Sequence, residues 1–461
     1  MSSPSPALST DQQARNADAL SLYQRLLPAP FWDLLGQQQQ LRQNNRVYTL
    51  AVVVWLMIYQ WLQGHVPLDQ AVLQLLRGLP DSFWPHPCKR LLACHRKSGC
   101  LSGNTAAYNT ARHQLPLSVV ESCCDRIFEQ LAMETRAALA PLHRPAFLFD
   151  GTSVQLPPTA ALHQAYPPGS NQHGQSHGPL LRMLVAHDLQ TGLALRPQWG
   201  PLNGQQAVSE QQLLEVALQR LPSASLVVGD ANFGVFSVAY AASQRGHPVL
   251  LRLTTARALH LAGGPLHDGI DRPLTWKPSR DDRRRHPSLP KDACVHGRLL
   301  VCLVQPSNQT KPFLIALFTT WPASMQQILA VYGQRWEIET DLRTLKSTLH
   351  LEQLRCTTPE MVAKELDLAM AAYNIIRTVI YLAAQKAGLP PRAFSFTRVR
   401  NIVQAFAPIL AAAQTPQEAQ EITDRLLYYA AQARLPRRTR KRPAYPREVW
   451  PKPQSFPHRK E

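Results

Sequence analysis

The stretch Val331–Leu349, VYGQRWEIETDLRTLKSTL, carries Tyr332, Arg335, Glu339 and Lys346. Wound as one helix at about 100° per residue, these four and Leu342 fall in a single narrow stripe. A phenol, a guanidinium, a carboxylate and an ammonium on one face can grip phosphates and help to hold a cation. The plainer reading is a solvated face tied by an Arg335–Glu339 pair at i,i+4, which adds only about 0.2–0.5 kcal/mol. Two isolated acids upstream favour chemistry. Asp150, in Ala146–Pro157 (AFLFDGTSVQLP), follows the apolar run Phe147–Phe149 and reads as the polar end of a buried strand emerging at a Gly-Thr-Ser turn. Asp230, in Ser225–Phe236 (SLVVGDANFGVF), follows Leu226–Val228 and reads as the end of a strand that leaves the core into a loop and then a helix.

In an open sheet flanked by helices, ligand sites assemble at the carboxyl ends of neighbouring strands. Asp150, Asp230 and Glu339 therefore make a candidate metal-binding and catalytic set. Mg²⁺ is a hard cation that prefers carboxylate and water oxygens and needs few protein ligands where a phosphate supplies the rest. Two such ions about 3.5–4 Å apart can activate a water or a 3′ hydroxyl and stabilise the leaving oxygen at phosphorus. Arg335 and Lys346 would then grip phosphates of a DNA strand, with Tyr332 donating a hydrogen bond.

With these residues in view, the chain resembles the DDE transposases of bacterial insertion sequences, in the IS-four branch marked by Tyr-x2-Arg-x3-Glu-x6-Lys. Tyr332, Arg335, Glu339 and Lys346 match all four letters and all three spacings, Asp150 stands in Asp-Gly-Thr, and Asp230 stands in Asp-x-x-Phe with Phe233. The resemblance runs from about residue 40 to the end. It implies an α/β catalytic core, an RNase H-like mixed sheet with a β-rich insertion, beside an N-terminal all-α domain. It also implies Asp150, Asp230 and Glu339 as ligands of two Mg²⁺ ions, for which Mn²⁺ could substitute. Cleavage at the ends of an element and transfer of the 3′ ends to target DNA follow from it. The implied partners are double-stranded DNA, as terminal repeats and target, and a second copy of the chain in the synaptic complex. A non-catalytic repressor and an RNase H-like nuclease without strand transfer are the alternatives, and the intact carboxylate set favours the transposase.

The rest of the chain is compatible with this. At 461 residues it is long enough for two to three domains, and its net charge of +18 with a pI near 9.9 suits a polyanionic partner. Residues 1–40, rich in Ser, Gln and Ala, lack the apolar segment of a signal peptide and read as a leader. Val47–Leu62 is the most apolar run but has 16 residues and contains Gln60, short of the roughly 20 a bilayer span needs. A buried helix in a cytoplasmic, nucleoid-associated protein without membrane contact is the expectation. Residues 41–140 read as a helical DNA-binding domain, with Asn104–Glu134 as two helices broken at Leu115-Pro116 that carry Tyr108, Arg112 and His113. Cys88, Cys94, His95 and Cys100 lack the spacing of a zinc site, and the other cysteines show no disulfide framework.

Residues 141–250 are expected to hold the first part of the core. Leu180–His187 and Leu193–Pro197 read as a hairpin turning at Asp188–Gly192, which makes Asp188 a turn residue, and His163, His173 and His177 read as exposed loop residues. Between Asp230 and Glu339 lie 108 residues, more than a helix and a strand require. Residues 251–310 are therefore taken as the β-rich insertion. In relatives an insertion tryptophan can stack on a flipped base, and Trp276 is the candidate; Arg283, Arg284 and Arg285 would be phosphate contacts. Residues 311–430 hold the rest of the core and the C-terminal helices. The tail, residues 431–461, has from Arg434 onward ten Lys or Arg against two Glu, with six prolines, and reads as an extended basic arm on DNA.

Overall fold

Ala146, Phe147, Leu148 and Phe149 are apolar in succession and all buried, so this segment has both faces covered, as a central strand must. The computed structural model describes residues 19–39, 47–76, 79, 83, 84, 88, 103–136, 142, 144–171, 174, 175, 178–305, 311–352 and 354–436. Cys94, His95, Cys100, His173, His177 and the basic tail beyond residue 436 lie outside the described residues. The chain divides into two compact units: residues 141–189 with 198–340 and 436–461, and residues 1–140 with 190–197 and 341–435.

The first unit is built on strands β1 (Ala146–Gln155), β2 (Ser170–Asn171), β3 (Gly174–Gln175), β4 (Leu180–Asp188), β5 (Gln198–Pro201), β6 (Leu226–Gly229), β7 (Val249–Arg252), β8 (Ile270–Trp276), β9 (Val295–Val304) and β10 (Phe313–Thr319). Eight of them form one sheet in the order β5-β4-β1-β6-β7-β10-β9-β8. β1, β6 and β7 run parallel, β4 lies antiparallel to β1, and β5 lies antiparallel to β4. This mixed sheet is consistent with an RNase H-like core. β8 and β9, from the stretch read as an insertion, pair antiparallel beside β10 and extend the same sheet. The unit's helices are α7 (Ala160–Ala165), α8 (Glu210–Ala217), α9 (Phe236–Gln244), α10 (Thr255–Ala262), α11 (Arg280–Arg285) and α12 (Met325–Gly333), the numbers α1–α6 belonging to the earlier helices of the second unit.

The second unit holds α1 (Ala19–Leu26), α2 (Ala29–Gln38), α3 (Leu50–Leu62), α4 (Leu68–Leu76), α5 (Ala106–Gln114), α6 (Leu117–Glu134), α14 (Pro359–Ala387), α15 (Phe396–Ala411) and α16 (Pro416–Gln432); α13 (Glu337–Arg343) straddles the division between the units. α14 is the axis of this unit. Its apolar stretch is long enough to cross a membrane, but 94% of that stretch is buried inside the protein. α3, with 13 residues, is too short to span a bilayer and is buried. Polar groups stitch these helices together. Trp61 Nε1 on α3 donates to Glu365 on α14 at 2.8 Å, and Arg112 on α5 pairs with the same carboxylate. Tyr108 is also buried and donates to Gln60 at 2.9 Å, so the two α5 residues considered for DNA contact are committed inside the unit, while His113 is exposed.

Three local expectations are corrected. Gly151-Thr152-Ser153 is not a turn: these residues stay paired with Leu184, Met183 and Arg182, and β1 runs on to Gln155. Leu193–Pro197 is not a strand, and Asp188 is not a turn residue but the buried end of β4. Residues 190–197 leave the sheet for the helical unit, where Asn374 bonds both the N–H and the C=O of Ala194 at 2.8 Å and Arg196 pairs with Asp125, Glu121 and Asp367. The alternating Leu193 and Leu195 are thus buried by helices, a pattern that periodicity alone cannot tell from a strand.

Candidate active site

The two aspartates are set by the register of adjacent parallel strands. Leu148 pairs with Val228, so two residues further on Asp150 and Asp230 stand side by side, where the β1–β6 pairing has ended. Neighbouring strands are about 4.8 Å apart. Two carboxylates at that spacing repel, and a cation between them removes the repulsion. Asp150 Oδ1 accepts from its own neighbour, Gly151 N–H, at 2.8 Å. Burial pushes the Asp150 carboxyl up from 3.8 to about 6; the Gly151 N–H opposes this, Asp230 and Glu210 add to it, and Arg335 draws it back.

Asp230 opens a tight turn. Its Oδ1 accepts the Asn232 N–H at 2.9 Å, and its carbonyl accepts from Phe233 and Gly234 at 3.2 and 3.1 Å. Phe233 is fully buried and anchors the turn to the core. Gly234 is required by space, because a Cβ there would lie 1.9 Å from the Arg252 carbonyl oxygen.

The signature segment is not one continuous α-helix. α12 tightens into a 3-10 turn at Gln334–Trp336, resumes as α13, and widens into a π turn at Thr344–Thr348, where Leu349 N–H reaches back to Thr344 O at 3.1 Å. Leu345, Leu349 and Leu351 are all buried, and burying all three rewinds the turn. The single stripe from Tyr332 to Lys346 is therefore broken. Tyr332, Arg335 and Glu339 belong to the sheet unit, whereas Lys346 lies half-buried on the π turn in the helical unit.

Arg335 Nη2 meets Glu339 Oε1 at 3.1 Å, with the Arg335 side chain 11% and the Glu339 side chain 40% exposed. The Tyr332 hydroxyl is buried without a hydrogen-bond partner of ordinary geometry. Burial raises its pKa, Arg335 and Arg252 pull it down, and Asp230 pushes it up, which places the phenol among two guanidiniums and a carboxylate. An orphaned buried hydroxyl and an all-oxygen acidic set suit a hard divalent ion with its phosphate. Among the described residues no three acidic, histidine or cysteine side chains converge tightly enough to hold an ion as they stand, and Glu339 faces Arg335. An ion pair exposed on one side is worth only about 0–1 kcal/mol, so it is a weak competitor for that carboxylate.

Trp276 does not offer its ring to a base. It is 3% exposed and packs edge-on against Phe236 and Phe318, at 6.1 and 4.9 Å between ring centres. Its place at the end of β8 turns it inward, and the exposed indole of the signature segment is Trp336, 65% exposed, with the Arg335 guanidinium 5.0 Å over its ring. Arg283 is likewise spent internally, donating to the carbonyls of Pro290 and Lys291 at 3.0 and 2.9 Å. Arg284 is exposed and pairs with Asp281, and Arg285 is exposed on the same short helix. Three neighbours of the aspartates were missed: Glu210, Asn232 and Arg252. The Ser209-x-x-Gln212 capping box marked the start of α8, but an acid in a first turn reads as an ordinary dipole partner.

Residues 141–375, just over half of the chain, match the family model of the transposase DDE domain. The chain is also 25% identical over 427 residues to the transposase InsG for insertion sequence element IS4 of Escherichia coli (strain K12), covering 90% of this chain and 88% of that protein.

Proposed function

As the chain belongs to the family of DDE-domain transposases and is a DNA transposase, we propose that it binds the ends of an insertion sequence, hydrolyses the phosphodiester there and transfers the 3′ ends to target DNA. The observation that supports this most is the placement of Asp150 beside Asp230, two residues past the last paired residues of β1 and β6, with Arg335 and the Tyr332 hydroxyl nearby. Asp150, Asp230 and Glu339 are the residues that would hold divalent ions, Mg²⁺ or in its place Mn²⁺. Such ions, two when both sites fill, supply an activated nucleophile and stabilisation of the departing oxygen.

The chain's own side chains orient the strand to be cut. Arg335 grips a phosphate once Glu339 is released from it, because a guanidinium matches the paired oxygens of a phosphate. Tyr332 donates its hydroxyl to the same backbone. Lys346, on the π turn, is assigned to DNA binding by its match to the fourth letter of the signature. Trp336 offers an exposed face on which a base can stack. Two ends handled together call for two copies of the chain in the reacting complex.

The test is incubation of the purified protein with a labelled element end and Mg²⁺, beside Glu339→Gln, with products resolved on a denaturing gel. End cleavage and joined products from the wild type, both lost in Glu339→Gln while end binding persists, are the expected result. Metal-independent binding without cleavage by either protein would instead indicate a repressor. Cleavage without joined products would indicate a nuclease.

A further inference from the structure

Asp230 stands one residue past the end of β6, so no strand partner fixes its carboxylate. What holds it is the turn itself, through the Asn232 N–H on Oδ1. Asn232 is exposed, yet its side chain is grasped by two consecutive residues in the first turn of α8. Its Nδ2 donates to Glu210 Oε2, and Gln211 Nε2 donates to its Oδ1 at 2.9 Å and to its carbonyl at 2.8 Å. Glu210 is in turn placed from two directions. The Ser209–Gln212 capping box fixes the start of α8. The Glu210 side chain then lies over Gly151, where an added Cβ would come 2.1 Å from Oε1. The residue after Asp150 thus leaves the space for the side chain that restrains the turn of Asp230.

We propose that Glu210 is a positioning residue of the catalytic centre, which clamps Asn232 together with Gln211 and so keeps the Asp230 carboxylate in the orientation that accepts a divalent cation. The proposal rests on the reading of Asp230 as a metal ligand. Glu210 Oε2 is occupied by Asn232, and among the described residues it joins no group of three converging acids, so its part is to orient and not to ligate. The clamp is on the surface, where hydrogen bonds contribute little to global stability. Groups that orient metal ligands, by contrast, cost about 10–100-fold in metal affinity or activity when removed.

The experiment uses the full chain and Mn²⁺ alone as probe, following loss of the free-ion electron paramagnetic resonance signal. The Mg²⁺ concentration for half-maximal end cleavage and the melting temperature of the metal-free protein are measured beside it. Glu210→Ala and Asn232→Ala should each weaken Mn²⁺ binding about tenfold and raise the Mg²⁺ requirement in step. They should leave cleavage at saturating metal near wild type and shift melting by no more than about 2 °C. The double variant should be no worse than Asn232→Ala alone, because that substitution already removes the group Glu210 holds. Glu210→Gln, whose amide oxygen can still accept from Asn232, should keep wild-type affinity. Glu210→Gln as weak as Glu210→Ala would overturn the clamp in favour of a role for the charge, and wild-type affinity in Glu210→Ala would remove Glu210 altogether. Asp230→Ala is the control: unchanged Mn²⁺ binding there places the failure in the reading of Asp230, and the clamp falls with it.

Discussion

At the scale of single residues, Tyr332 separates function from stability. A buried hydroxyl whose near neighbour, Arg252, is off ordinary hydrogen-bond geometry recovers little of its desolvation cost. Tyr332→Phe should therefore melt at or slightly above the wild-type temperature, while end cleavage at fixed Mg²⁺ falls about tenfold, the equivalent of one hydrogen bond to a charged phosphate. A loss of stability parallel to the loss of activity would mean that the phenol serves the core. Arg335 is placed differently, since its guanidinium already has two local contacts, the Glu339 carboxylate and the Trp336 ring.

Among the elements, α14 gathers the charges that govern pH response. Asp367 on this helix is fully buried, and burial pushes its carboxyl from 3.8 up to about 8 against the pull of Arg196. The folded chain thus holds this proton more tightly than the unfolded chain does. The resulting stabilisation is complete below pH 3.8 and is lost as pH rises through about 8. Thermal melts between pH 5 and pH 8 should show stability falling with pH, and Asp367→Asn should flatten that fall.

What the sequence disclosed about elements follows the same physics. The strands that carry Asp150 and lead to Asp230 were legible because each opens on a short apolar run, although β1 runs five residues past Asp150 and does not end there, and Pro116 marked the break between α5 and α6. The π turn was not legible, because it goes with the tertiary burial of Leu345, Leu349 and Leu351, which local sequence does not show. Trp276 was misplaced for the same reason, since only the partners of β8 decide which way its last side chain points. Glu210 and Asn232 lie 22 residues apart and meet only once α8 and β6 have folded.

For the whole molecule, charge predicts how binding responds to salt. Truncation after Pro436 removes nine Lys or Arg and two Glu, cutting the net charge from +18 to +11. Each lost phosphate contact should reduce the slope of log affinity against log salt by about 0.9. A fluorescence-anisotropy titration at several salt concentrations should give a shallower slope for the truncated chain, and an unchanged slope would free the tail of any role on DNA.

The division of the chain into units also sets an order of events during synthesis. The helices before residue 140 pack against α14, which begins at Pro359, so roughly 220 residues must leave the ribosome between the two. At about 5–20 residues per second, the apolar α3 waits roughly 10–45 s for its partner. A fragment of residues 1–140 made alone should show no cooperative melt by circular dichroism, and chains released early should aggregate or be degraded. The helical unit therefore comes into being only once α14 has emerged, and a message interrupted before Pro359 yields no half-built competitor for the DNA.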